Sequence, residues 1–172
     1  MDERELLVLG LLMTQSQHGY KINEFIENNL GRVSDMKKAT AYSILKRLNQ
    51  NGYVDVTIEQ EGNRPPRQIY TITPNGNEQF KLLLRMTLSS LDNVTPSGDI
   101  GFMFIDHLST AEAVELIELK LQKVDLLIKS LASVPQHGHR TGIDLSIQHR
   151  ITLLECEKAW LSKLIFEMNS SI

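Results

Sequence analysis

The sequence predicts a mainly α fold: an N-terminal winged helix-turn-helix of three helices and a β-hairpin wing, followed by a C-terminal helical dimerisation domain. Three observations carry this reading. Three helix-patterned runs occupy the chain up to Gly52, and two β-rich segments, "YVDVTIEQ" and "RQIYTITP", then flank the polar, proline-containing "EGNRPPR". In the second half, apolar residues recur at alternating spacings of three and four over two long runs. The expected organisation is a winged-helix domain over 1–76, connecting helices over 77–108 and a helical hairpin over 109–172.

The first run, Glu3 to Gln15, is apolar almost throughout ("ELLVLGLLM"), so its helix is expected to be buried on more than one side. "HGYKINEFIENNL" places Tyr20, Ile22, Phe25, Ile26 and Leu30 near helical spacing, and Gly31 ends that helix. His18 falls at its expected start, where a structural cap and a phosphate contact are both open. The third run, "ATAYSILKRLNQNGYVDV", sets Ala41, Ile44, Leu45 and Leu48 on one arc of a helical wheel. Ser43, Lys46 and Gln50 lie opposite, with Tyr42 and Arg47 on the flanks. The polar arc is free to meet a ligand, and Gly52 supplies the left-handed residue that closes the helix.

In the hairpin, adjacent prolines forbid ladder hydrogen bonds at the tip, so Arg64 and Arg67 are expected on a stiff protruding loop. A helix follows over about Asn75 to Leu91, broken by "TPSGD". Ser109 then reads as an N-cap with Glu112 as its acidic partner, opening a helix striped by Val114, Ile117, Leu121, Val124, Ile128 and Leu131. After the loop "ASVPQHGHRTG", the last helix is striped by Ile147, Ile151, Leu154, Leu161, Ile165 and Met168, with Lys158 as the polar interruption. The two helices are expected to pack antiparallel.

The last helix has a second apolar side formed by Leu153, Trp160 and Leu164. Its economical cover is a partner subunit, joined by Leu7 and Leu11 of the first helix; the alternative places both sides in one intramolecular core. Between the halves, Ile100, Phe102, Met103, Phe104 and Ile105 form a short apolar cluster, read either as plain core or as a pocket for a small aromatic or lipophilic compound using Phe102, Phe104 and Trp160.

Composition bounds the function. The 172-residue chain is 41% hydrophobic, enough for real cores. Its longest apolar runs, such as Leu6 to Met13, are far shorter than the roughly 20 residues that cross a bilayer, and Met1-Asp2-Glu3 lacks the basic start of a signal peptide. A cytoplasmic protein without membrane contact is expected. The lone Cys156 permits no internal disulfide and is expected to be buried and inert. No Gly-rich phosphate loop, G-x-S-x-G or H-E-x-x-H is present, and the His137/His139 pair has no Cys or carboxylate at ligand spacing, so neither catalysis nor a metal or other cofactor is expected. The formal net charge is −3. Between Arg32 and Tyr70, however, seven basic residues (Arg32, Lys37, Lys38, Lys46, Arg47, Arg64, Arg67) stand against four acidic ones (Asp35, Asp55, Glu59, Glu61), the local positive balance a duplex-binding face requires.

"LLVLGLL", "HGYKI", "ATAYSILKRLNQNGYV" and "GNRPPRQIYTITPNG", in this order, resemble the PadR family of winged-helix transcriptional regulators over Leu6 to Gly76. The stretch "GRVSDMKKAT" departs from the family's usual pattern. The resemblance implies a homodimer, usually a repressor, that binds a pseudo-palindromic operator in double-stranded DNA and is released by a small effector. The expected DNA-binding residues are His18, Tyr20, Lys38, Thr40, Tyr42, Ser43, Lys46, Arg47, Arg64, Pro65 and Arg67. A second reading, from a different class, is a protein-interaction adaptor whose winged helix no longer binds DNA; a metal-dependent enzyme stands third.

Overall fold

The protein is described from a computed structural model, which covers residues 3–18, 22, 25–26, 36–60, 66–91, 97–135 and 141–170. Two compact units divide the chain, Met1–Asn93 and Val94–Ile172. The segment 77–108, expected as a connector, is thereby shared between them: the helix after the hairpin belongs with the first unit and the short helix after it with the second.

In the first unit, α1 spans Glu3–His18. Val8, Leu9 and Leu12 are fully buried while Leu6, Leu7 and Leu11 are half-buried against the same core, as an all-round apolar run requires. Ile22 and Ile26 are helical and buried, with Phe25 packed beside them. Next comes α2, Lys38–Gln50, whose buried residues are Ala41, Ile44, Leu45 and Leu48, the four that share one arc of the wheel. Leu9, Leu45 and Leu48 are among the largest fully buried side chains, so truncating one to Ala costs about 2–5 kcal/mol.

The end of α2 explains why the helix gives way so abruptly to a strand. Gly52 sits at φ +75°, its N–H donates to the Asn49 carbonyl at 3.0 Å, and the Tyr53 N–H reaches back to Leu48 at 2.9 Å. These are the two bonds of a Schellman closure, which only a residue tolerant of left-handed backbone completes without strain. Asn49 Nδ2 then donates to the Val54 carbonyl at 2.7 Å, pinning the strand that follows.

That strand, β1 (Val54–Glu59), pairs antiparallel with β2 (Arg67–Ile72), Val54 opposite Ile72 and Glu59 opposite Arg67. Alternation puts Val54, Val56 and Ile58 on one face. Val54 is buried, Val56 is half-buried and Ile58 is 72% exposed, so the hairpin leaves the core as it runs outward. Thr73 caps α3 (Pro74–Ser89): its hydroxyl accepts from the Gly76 N–H at 3.0 Å and donates to the Gly52 carbonyl at 2.8 Å, tying the end of α2 to the start of α3. A side chain at Gly76 would run into the Tyr53 carbonyl oxygen and lie 2.7 Å from Ile72 Cγ1. On α1, a Cβ at Gly10 would stand 3.3 Å from the Phe80 ring, so the small residue lets α1 and α3 close together.

The second unit contains α4 (Ser97–Met103), a 3-10 turn (Ile105–His107), α5 (Thr110–Ala132) and α6 (Gly142–Ser170). Ser109 caps α5 by accepting from the Glu112 N–H at 3.3 Å, as its sequence pattern predicts. The Asp144 N–H donates to Thr141 Oγ1 at 3.3 Å at the start of α6. Helices α5 and α6 pack on each other around buried Ile117, Val124 and Leu161, with Leu121, Ile128, Leu154, Ile165 and Met168 beside them. The polar interruption Lys158 pairs with Asp125 at 2.6 Å, which accounts for a charge beside an apolar stripe.

Three residues differ from expectation here. His18 is the last residue of α1 rather than the start of the next helix, because no helix-breaking residue stands between Met13 and His18. Cys156 is exposed, not buried, because it lies off the stripe of α6 that packs on α5. Leu164 packs against the intramolecular cluster while Leu153 and Trp160 stay 57% and 48% exposed, so the three do not form a single outward face.

Candidate nucleic-acid interface and effector cleft

On α2 the burial of one arc forces the other outward. Lys38, Ser43, Lys46 and Arg47 are exposed, whereas Thr40 and Tyr42 are half-buried and Tyr42 leans on the core. Ser43 and Lys46 thus form the outward centre of the face. Arg47 behaves differently: its Nη2 donates to Glu5 Oε2 of α1 at 3.2 Å, with the two side chains 48% and 16% exposed. A pair this open contributes at most about 1 kcal/mol to stability, so it holds Arg47 back from solution only weakly.

Lys37 stands at the N-cap position of α2 without a side-chain cap bond, and no acidic residue occupies the first turn. The amino end of the helix therefore keeps its positive dipole, which favours a phosphate nearby. At the base of the hairpin, partial burial raises the Tyr70 phenol above its ordinary range, and its neutral hydroxyl donates to Gln68 Oε1 at 2.7 Å. Arg67 begins β2, its backbone opposite Glu59. Tyr20, Arg64 and Pro65, together with the side chains of His18 and Arg67, lie outside what is described.

The apolar cluster expected at the junction of the halves is instead built within the second unit. A cleft of about 370 Å³ opens there among α4, the 3-10 turn and α5, walled by Phe102, Phe104, Ile105, Leu108, Leu116 and Ile117, with Lys120 at its edge. Phe102 and Phe104 line it. Trp160 does not line it but meets the Phe102 ring edge to face, 4.8 Å between centroids at 80°. Lys120 was not legible in the sequence as a site residue, because its partner is Glu157 on α6, 2.7 Å away in space but remote in the chain. Leu7 and Leu11 lie half-buried on the first unit's own core. No group of three or more His, Cys, Asp and Glu suited to a metal ion occurs among the described residues.

A buried-arc helix closed by glycine, a following two-stranded wing and a capped helix packed on α1 define the first unit as a winged-helix domain. Residues 8–82 match the family described as "Transcriptional regulator PadR-like family". The negative transcriptional regulator PadR of Bacillus subtilis (strain 168) is 28% identical over 116 residues, 67% of this chain and 64% of that relative's own length. The fold extends further than the sequence likeness. The crystal structure of Bacillus subtilis PadR in complex with operator DNA aligns with a TM-score of 0.75 at 21% identity, covering 95% of this chain and 98% of the other. The same protein in complex with p-coumaric acid gives 0.70 at 20% identity, with 98% of each chain covered. The family and these relatives are transcriptional regulators rather than enzymes, in keeping with the sequence reading. Among the described residues, no helix is long and apolar enough to cross a membrane.

Proposed function

We propose that this protein is a homodimeric, DNA-binding transcriptional regulator, a repressor released from a pseudo-palindromic operator by a small effector and working in the cytoplasm. The single observation that carries the DNA reading is the outward arc of α2, where Ser43 and Lys46 stand exposed on a PadR-like winged helix. Short side chains near the start of a recognition helix approach the groove floor, and longer cations reach the phosphates at its walls. Thr40 and Ser43 accordingly lie closest to base edges, and Lys38 and Lys46 to phosphate. The wing residues Arg64, Pro65 and Arg67 track the flanking backbone or minor groove, with His18 and Tyr20 contributing from the chain before α2.

Dimerisation is supported by the second unit's uncovered apolar surface. Leu153, Trp160 and Phe166 on α6, and Leu116, Leu119 and Leu126 on α5, are large and exposed. A soluble monomer rarely leaves so much of one unit bare, and a second copy is the cover that also supplies two reading heads for a two-fold operator. The aromatic-walled cleft supplies a place for an effector, and its contact through Phe102 to Trp160 gives ligand binding a route to that same apolar surface.

Capture of the genomic DNA bound by the full chain, followed by titration of the enriched fragments, tests the reading. Specific, salt-sensitive binding is expected. The adaptor reading is favoured by one observation, the engagement of Arg47 by Glu5, which draws a cation of the α2 face toward its own protein; absence of any enriched DNA would select it.

A further inference from the structure

The cleft of the second unit has apolar walls and, among the described residues, one charged side chain in its lining, Lys120. That ammonium is held from three sides. Glu157 Oε1 lies 2.7 Å from its Nζ, the Phe102 ring centroid lies 5.1 Å from it, and the backbone of α4 passes so near that a Cβ at Gly98 would stand 2.7 Å from the same atom. The position is therefore built by glycine on one element, an aromatic ring on the same element and a carboxylate on α6.

An entering carboxylate has two options, both poor. It can take Lys120 from Glu157, leaving that carboxylate without its partner behind the cleft wall, or it can share the ammonium and bring two like charges onto one Nζ. An uncharged compound leaves the pair whole, fills the aromatic-walled space and still finds the Lys120–Glu157 pair as a polar edge for a hydroxyl or amide. We propose that the cleft takes a neutral, lipophilic aromatic ligand and that Glu157 is the specificity-determining residue that turns acids away. This inference rests on the reading of the cleft as an effector site.

The test uses two probes of nearly equal shape, trans-cinnamamide and trans-cinnamic acid, titrated calorimetrically into the full-length protein. The wild type binds the amide about fivefold more tightly than the acid, a ratio set by one half-exposed ion pair. In Glu157→Gln the freed ammonium accepts the acid, so the preference disappears or reverses, while Lys120→Met keeps the amide and loses the acid. Gly101 lines the cleft, and a Cβ there meets nothing within 4 Å, so Gly101→Leu is expected to take up cleft space and abolish binding of both probes at unchanged helical content. A wild-type preference for the acid, or an amide-to-acid ratio unmoved by Glu157→Gln, overturns the role of Glu157 and leaves the cleft as a binding site. If neither probe binds, or if both bind Gly101→Leu as well as the wild type, the cleft reading falls and this inference with it.

Discussion

Arg47 and Lys46 are neighbours in sequence and both point outward, yet they do not stand in the same electrostatic setting. Arg47 shares Glu5 at 3.2 Å, whereas Lys46 is exposed on the outward arc of α2. Replacing Lys46 by Ala is expected to weaken binding to every DNA sequence and to reduce the slope of log affinity against log salt by about 1, the signature of one lost phosphate contact. An unchanged slope would place Lys46 outside the interface. Glu5→Gln removes the carboxylate that Arg47 pairs with and one negative charge beside the outward arc of α2, so affinity for DNA is expected to rise severalfold while stability changes by less than about 1 kcal/mol. Unaltered affinity in that variant would mean that the Arg47–Glu5 pair has no bearing on DNA binding. Lys46 was legible as an outward residue because a helical wheel needs only spacing. The Arg47–Glu5 pair was not, since it joins two helices 42 positions apart and depends on how they pack.

The elements whose boundaries are set by local chemistry were the most legible. The buried arc of α2, its closure at Gly52 and the Ser109 cap of α5 follow from spacing, a left-handed residue and a hydroxyl at the right offset. Gly76 carries no such signal, because its need for a missing side chain arises from the Tyr53 carbonyl brought against it by the fold. Gly76→Ala is expected to destabilise the first unit by about 1–3 kcal/mol in denaturant unfolding, the usual result of overpacking; a neutral outcome would mean that α3 shifts freely on the hairpin. On α6 the wheel separated a core stripe from a second side, and Leu164, set on the second side, packs partly buried against the unit's own cluster. Leu153→Glu, on the exposed side, is expected to split the proposed dimer while keeping native helical content, as read by sedimentation and circular dichroism. Leu164→Glu buries a charge in the unit's own cluster and is expected to lose helical content as well. Equal behaviour of the two variants would contradict the division of α6 into these sides.

At the scale of the whole molecule, order along the chain was enough to anticipate a winged helix followed by a helical pair, because each element's pattern agrees with its neighbours. Grouping was less accessible: the short apolar segment around Phe102 and Phe104 reads as a junction in sequence, but its cleft is completed by α5 of the second unit. Two copies of this chain are proposed to read one two-fold DNA site. Footprinting of the purified full-length protein on genomic fragments it captures tests this most directly. Two protected half-sites related by an inverted repeat and centred about one helical turn, roughly 34 Å, apart are expected, both lost together in Leu153→Glu. A single protected half-site occupied by a monomer, or protection with no inverted repeat, would contradict it.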